Sequence, residues 1–175
     1  PFVGIVDAEL EAAGDAPLTF FELLTVLAFV AFADAPIDVL VLEVGMGGAW
    51  DSTNTADGDV AVFAPIDLDH ADRLGETIEE IATVKAGIIK QDAAVVSAKQ
   101  SPEATAILRA VAAERGATIA FEGDEFALVE QLGELVVVVG EGGDQRLTGL
   151  SGLVGHVGRD VLELEVGAEV VLVDD

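Results

Sequence analysis

The chain has 175 residues, 51% of them hydrophobic, and no cysteine. That length and composition allow one sizeable core and exclude a disordered chain, disulfides and thiolate metal sites. Its 33 acidic residues against 8 basic ones leave a net charge of −25, which disfavours nucleic acid or an anionic membrane as a partner, because both are bound through basic groups.

So large a charge repels itself in ordinary cytosol, and concentrated salt screens it. A cytoplasm rich in salt is therefore the expected setting. Lysine occurs only at positions 85, 90 and 99, so each survivor draws attention. No apolar run reaches the ~18 residues of a membrane span, because Leu18–Ala33 is interrupted by Thr19, Glu22 and Thr25. No basic segment followed by a small-residue cleavage site opens the chain, and no signal peptide is expected.

Residues 1–16 are loosely patterned and end in a Gly-Asp-Ala-Pro turn. Thr19 and Glu22 form a T-x-x-E capping box that opens a helix over roughly Phe20–Ala33. This helix is apolar nearly all round, which predicts packing between a sheet and its neighbours. Pro36 ends it. Asp38–Val44 is a continuous apolar run, as in a parallel strand buried on both faces. Gly45, Gly47 and Gly48 follow as a tight turn. Val60–Pro65 reads as a second buried strand. Thr77 and Glu80 form another capping box, opening a helix to about Ala86 with Gly87 as its stop. Ala93–Ala98 is a third strand. Ser101-Pro102 starts a helix running to about Arg115, closed by Gly116. Ala117–Phe121 is a fourth strand. The alternation predicts an α/β fold, with a mainly parallel sheet and flanking helices.

After Phe121 short β-like runs follow: Phe126–Val129, Leu135–Val139, Gln145–Thr148, Val161–Val166 and Val170–Val173. Glu141-Gly-Gly-Asp reads as a hairpin turn. The expectation is one domain over residues 1–175, with an α/β portion at 17–120 and an antiparallel extension at 121–175.

Three groups carry candidate chemistry. Glu43 interrupts the apolar strand near its carboxyl end, where open α/β sheets place their sites. A carboxylate there is costly unless paired or bound to metal, and the alternative is a cap on the glycine turn. Asp67-Leu-Asp69-His70 follows the second strand directly. Oxygen-rich surroundings with one imidazole suit Mg²⁺ or Mn²⁺ better than zinc. The alternative is a loop of capping aspartates with an exposed histidine. Lys85 lies on a helix among small and apolar residues, where an ion pair with Glu79, Glu80 or Glu43 is the plain reading. Asp51, Thr53, Asn54 and Asp69 offer groups for a polar substrate, although Asp and Asn also favour turns for their own sake. Gly45-Met-Gly-Gly lacks the spacing of a dinucleotide fingerprint, and no Walker A sequence occurs, so nucleotide-binding residues are not assigned. His156, in a glycine-rich stretch, reads as structural or surface.

Taken together, LTFFELLT (18–25), VLEVGMGGAWDSTN (41–54), IDLDHADRLGETIEEIATVKAGIIK (66–90) and, more loosely, PEATAILRAVAAERGA (102–117) resemble the folylpolyglutamate synthase/dihydrofolate synthase family of the Mur ligase superfamily. The resemblance covers about residues 17–120. It implies a cytoplasmic, ATP-dependent amide ligase of folate biosynthesis and one-carbon metabolism. Such an enzyme adds L-glutamate to folate or dihydropteroate through an acyl phosphate, with Mg²⁺ (or Mn²⁺) bound. By position, Glu43 and His70 match metal ligands. Lys85 matches a lysine carbamylated in the family, so that Lys85 and His70 are the catalytic candidates. Asp51 matches an aspartate of substrate handling. The family's P-loop segment and C-terminal domain are not within these residues. Its Gly-x-His-Gln-x-x-Asn core is not visible, with Leu153–Asp160 a poor substitute. The chain is therefore expected to be a partial central domain, inactive alone. A non-catalytic binding module on the same fold, or another Mur-class amino-acid ligase, remain the alternatives.

Overall fold

The computed structural model describes residues 2–131, 134–139 and 169–173, with side chains over 4–127. The chain divides into two compact units, residues 1–37 and 38–175.

The first unit holds two helices, α1 (Phe2–Ala13) and α2 (Phe20–Asp34). The loosely patterned start is thus a helix. Its apolar and half-buried positions Val6 and Leu10 lie four apart, on one face. It ends with the Asp15 N–H bonded back to the Leu10 carbonyl at 2.9 Å, the six-to-one bond of a helix terminus. The capping box of α2 forms as expected. The Glu22 N–H donates to Thr19 Oγ1 at 3.3 Å, and the Thr19 N–H donates to Glu22 Oε2 at 2.8 Å. The Thr19 N–H first, and then the Thr19 hydroxyl donating to the same Oε2 at 2.7 Å, hold the Glu22 carboxyl below its usual range. Within this unit Thr25 of α2 is buried, and Phe20, Phe21, Leu24, Leu27 and Val30 are exposed.

The second unit is built on five strands: β1 (Leu40–Glu43), β2 (Val60–Phe63), β3 (Ala94–Ser97), β4 (Thr118–Phe121) and β7 (Glu169–Val173). Their order is β1-β7-β2-β3-β4 and every neighbouring pair is parallel. All carboxyl ends therefore lie along one rim. Short helices α3 (Ala71–Leu74) and α4 (Ile78–Lys85), a 3-10 turn Ala86–Ile88 and helix α5 (Pro102–Glu114) connect them, with α4 packed on α5. Both starts follow the sequence signals. Thr77 and Glu80 close the second capping box, and Ser101 Oγ accepts the Ala104 N–H at 3.2 Å ahead of Pro102. Phe63, Ile81, Ile88, Ile89, Val95 and Leu108 form the fully buried centre.

Two expectations are corrected. The run at 170–173 is not antiparallel: β7 lies inside the parallel sheet, and Val171 pairs with both Leu42 and Ala61. The first strand is not buried on both faces either. Its residues alternate between a covered and an exposed face. Leu42 and Val44 are buried, while Val41 and Glu43 are exposed. Beyond the sheet, β5 (Phe126–Gln131) and β6 (Glu134–Val139) pair antiparallel. The turn at 141–144, the runs at 145–148 and 161–166, and His156 with the stretch 153–160 lie outside the described residues.

Candidate active site at the carboxyl rim of the sheet

Three segments meet at the rim: the glycine turn after β1, the start of α3 and the end of α4. Gly48, at φ +155°, brings its backbone so close to α4 that a Cβ there would sit 2.8 Å from the Lys85 carbonyl oxygen. Only glycine fits that approach. The Ala49 N–H donates to the Val84 carbonyl at 3.1 Å, and Gly47 is backed by the side chains of Leu74 and Val84. Arg73 of α3 reaches Met46, with Nη1 3.9 Å from Sδ. The turn after Glu43 is thereby tied to the helices that follow His70 and precede Lys85.

The loop is knitted from inside by the residues expected to meet a substrate. Asp51 caps a 3-10 turn at Ser52–Thr55. Its Oδ1 accepts from the Thr53 N–H at 2.9 Å and from Thr53 Oγ1 at 2.6 Å, and its Oδ2 accepts from the Met46 N–H at 3.0 Å. Asn54 Nδ2 donates to the carbonyls of Ala49 and Gly87, both at 3.2 Å. Thr53 is buried. The turn-forming reading accounts for the polar atoms of Asp51 and Thr53 and for Asn54 Nδ2, and it places the three residues as the frame of the loop, whereas Asn54 Oδ1 is buried with no hydrogen-bond partner among the described residues.

The second loop is different. From Asp67 to Arg73 every residue is exposed, between the buried Ile66 and the buried Leu74. His70 sits midway with φ 48°, a left-handed conformation uncommon outside glycine. Asp69 Oδ1 accepts the His70 N–H at 2.7 Å, and its Oδ2 lies 3.4 Å from His70 Nε2. The imidazole is thus oriented by its own neighbour.

Of the three candidate metal ligands, Glu43 and His70 are exposed and Lys85 is 6% exposed. The expected buried carboxylate is corrected: Glu43 lies on the exposed face of β1, so it is solvated and bears no large burial cost. Lys85 is more enclosed than the sequence suggested. The Glu80 carboxylate closes its own helix start, its Oε2 accepting the N–H groups of Glu76 and Thr77 at 2.8 and 3.3 Å. Among the described residues no three His, Cys, Asp or Glu side chains form a ready-made cage for a metal ion.

Sequence reasoning missed two contributors. Lys90 donates from Nζ to the Asn54 carbonyl at 2.7 Å and so holds the end of the first loop. Its signal was the scarcity of lysine. Gln100 bonds the backbone on both sides of Pro65, and nothing in its local sequence announced that.

A family model for the Mur ligase middle domain matches residues 2–136. The dihydrofolate synthase/folylpolyglutamate synthase of Mycobacterium tuberculosis is 41% identical over 156 residues, 82% of this chain and 32% of that protein. The protein of the same description in Escherichia coli is 43% identical over 120 residues, 68% of this chain and 28% of that one. Among solved structures, M. tuberculosis folylpolyglutamate synthase complexed with ADP and AMPPCP aligns with a TM-score of 0.70 at 42% identity, covering 78% of this chain and 33% of that chain. The chain thus spans about a third of the length of these relatives. It belongs to the Mur ligase middle domain family, in the company of folylpolyglutamate and dihydrofolate synthases.

Proposed function

We propose that the chain is the central-domain portion of an ATP-dependent ligase that joins L-glutamate to the carboxylate of folate or dihydropteroate. The observation that carries this reading is the meeting of the three motif-bearing segments at one sheet rim, where Gly48 abuts the Lys85 backbone and Arg73 reaches Met46. In the reaction, a substrate carboxylate oxygen attacks the γ-phosphorus of ATP, ADP leaves, and an acyl phosphate results. The glutamate amine then attacks the acyl carbon, phosphate leaves, and an amide bond forms. Such chemistry depends on positioning and on stabilising developing negative charge.

Glu43 and His70 would hold Mg²⁺, with Lys85 as a carbamate completing the set. The packing of their segments against one another supports a shared site, and the single carboxylate and imidazole suit a hard cation that keeps water ligands. When bound, Mg²⁺ (or Mn²⁺) supplies charge neutralisation on phosphate oxygens. Asp69 orients the His70 ring. Asp51, Thr53 and Asn54 act on the substrate chiefly by fixing the loop that faces it. ATP contacts come from elsewhere in the longer protein, since Gly47 and Gly48 are spent on close packing against α4.

The test is glutamate-dependent ADP release by the full-length protein with folate or dihydropteroate. Lys85→Ala should abolish it. Bicarbonate should not restore it, whereas short carboxylic acids should restore part by standing in for the carbamate. Undiminished turnover removes Lys85 from the mechanism, and no glutamate dependence in the parent leaves a binding module on the same fold. Among the described residues no helix is long and apolar enough to cross a membrane. A cytoplasm of high salt is proposed from the charge of −25. The unfolding midpoint should then rise as KCl approaches molar concentration, and a flat response would rule the salt setting out.

A further inference from the structure

We infer that Gln100 is a positioning residue for the His70 loop and so for the cation that the proposed ligase uses. This rests on the proposed ligase function only for its magnesium arm. The β2–β3 ladder ends with the Ala98 N–H donating to the Phe63 carbonyl at 2.8 Å. Past that point the backbone of the two strands no longer pairs. The Gln100 side chain takes over. Its Nε2 donates to the Ala64 carbonyl at 2.7 Å, and its Oε1 accepts the Ile66 N–H at 2.8 Å. The amide bonds one acceptor and one donor on either side of Pro65, which has no N–H to offer. It prolongs the sheet pairing by one step, with a side chain in place of a strand.

The amide is itself held. Nε2 also donates to Ser97 Oγ at 3.0 Å, and Ser97 is fully buried, its hydroxyl donating to the Ala98 carbonyl at 2.9 Å. The next residue, Ser101, caps α5. Gln100 is therefore fixed between a buried strand end and a helix start, and it transmits that rigidity to Ile66.

Ile66 matters because it is where the His70 loop leaves the core. It is 6% exposed, Leu74 is 4% exposed, and every residue between them is exposed. The loop is thus a span with two anchors. Leu74 is anchored against the Gly47 turn. Ile66 is anchored by its own burial and by Gln100. From Asp67 to His70 the bonds are local: the Leu68 N–H to Asp67 Oδ1 at 2.7 Å, the Asp69 N–H to the Asp67 carbonyl at 3.0 Å, and the His70 N–H to Asp69 Oδ1; Arg73, beside the second anchor, reaches Met46. Local bonds shape the loop but do not place it. Removing the Gln100 clamp frees the first anchor and lets the imidazole drift from the position that a cation needs. Residues hydrogen-bonded directly to metal ligands are worth about 10–100-fold in metal affinity or activity, and Gln100, acting through the loop backbone, belongs at the low end of that range.

The experiment uses the full-length protein with Gln100→Met, which keeps the length but loses both bonds, and Gln100→Glu, which keeps the acceptor for Ile66 N–H and loses the donor to Ala64. The magnesium concentration for half-maximal glutamate-dependent ADP release should rise about tenfold in Gln100→Met and less in Gln100→Glu. The KM for ATP should stay within about twofold, since no ATP contact is asked of this loop. Amide hydrogen exchange at Ile66 should accelerate in Gln100→Met ahead of global unfolding. An unchanged magnesium requirement overturns the proposal, whatever happens to turnover or melting temperature. If Gln100→Met does not fold, the same readings on Gln100→Glu decide. If the parent shows no glutamate-dependent ADP release, the ligase reading fails on its own. Exchange at Ile66 and the ring signals of His70 then decide the placement claim, and values equal to the parent's overturn it.

Discussion

The two loops that leave the sheet rim from β1 and β2 are built on opposite plans. The first, after Glu43, is stitched to its neighbours throughout. Asp51 pins Met46 and Thr53, Asn54 bridges Ala49 and Gly87, and Gly48 lies against the carbonyls of Val84 and Lys85. The second, from Asp67 to Arg73, has no buried residue between its ends. The contrast separates two tasks that one motif would otherwise conflate. A rigid loop sets where the lysine-bearing helix sits, and a suspended loop leaves a carboxylate and an imidazole solvated, as the proposed site requires of groups that meet an incoming ligand. A site for a polar substrate and a cation needs both, because desolvating every ligand in advance costs several kcal/mol per charge.

The most damaging way to break this contrast is Gly48→Ala. A Cβ there would lie 2.8 Å from the Lys85 carbonyl oxygen and 2.9 Å from that of Val84, both backbone atoms, at a φ of +155° that alanine rarely adopts. Overpacking and backbone strain together predict about 3 kcal/mol or more of lost stability, measured by denaturant unfolding of the full-length protein. A change below about 1 kcal/mol would mean that the first loop is not fixed against α4. A gentler probe addresses the other loop. His70 holds φ 48° with no buried contact to enforce it. His70→Gly should leave stability within about 1 kcal/mol of the parent, on the favourable side if anything, because glycine tolerates that conformation. Catalytic turnover should nevertheless collapse. A large destabilisation would show that the imidazole is part of the packing, and the two loops would no longer differ in kind.

How much of the molecule is legible in its sequence depends on the range of the interaction. The capping boxes at Thr19 and Thr77 and the Ser101-Pro102 start are local, three residues wide, and the structure has all of them. The four strands and their intervening helices are set by apolar runs and stop signals, and they fall within a few residues of expectation. Nearly all the errors involve distant partners. Glu43 lies on the exposed face of β1, and which face is covered depends on tertiary packing and not on the run DVLVLEV. The place of β7 between β1 and β2 joins residues more than a hundred positions apart, which no periodicity encodes. Asp51 and Asn54 carry the signals of a turn and of a substrate contact equally. The deciding fact, that Asn54 Nδ2 reaches Gly87, is a tertiary one. Helix α1 escapes sequence reading for a local reason: Gly4 and the turn at Gly14 weaken a pattern only three turns long.

The smallest expected effect tests whether a fully exposed charge can matter as the knitted loop does. Glu22 caps α2, with its carboxyl lowered first by the Thr19 backbone N–H and then by the Thr19 hydroxyl. A carboxyl lowered on folding stabilises the folded state fully above its unfolded value, and this stabilisation is lost as pH falls through the folded value. Between neutral pH and mild acid the parent should therefore keep a small advantage over Glu22→Gln. Below the usual glutamate range the two stability curves should converge, because the protonated carboxyl and the amide then accept the same N–H without charge. Thermal unfolding of both full-length proteins across that range makes the comparison. A gap that stays constant down to strong acid would mean the cap acts through shape alone, with the charge screened away by solvent. The exposed first turn of α2 would then owe nothing to electrostatics, whereas Asp51, half-buried in the first loop, bonds two backbone N–H groups and a hydroxyl under far less screening. Burial, more than the number of bonds a carboxylate makes, would then decide which of this chain's 33 acidic residues shape its fold.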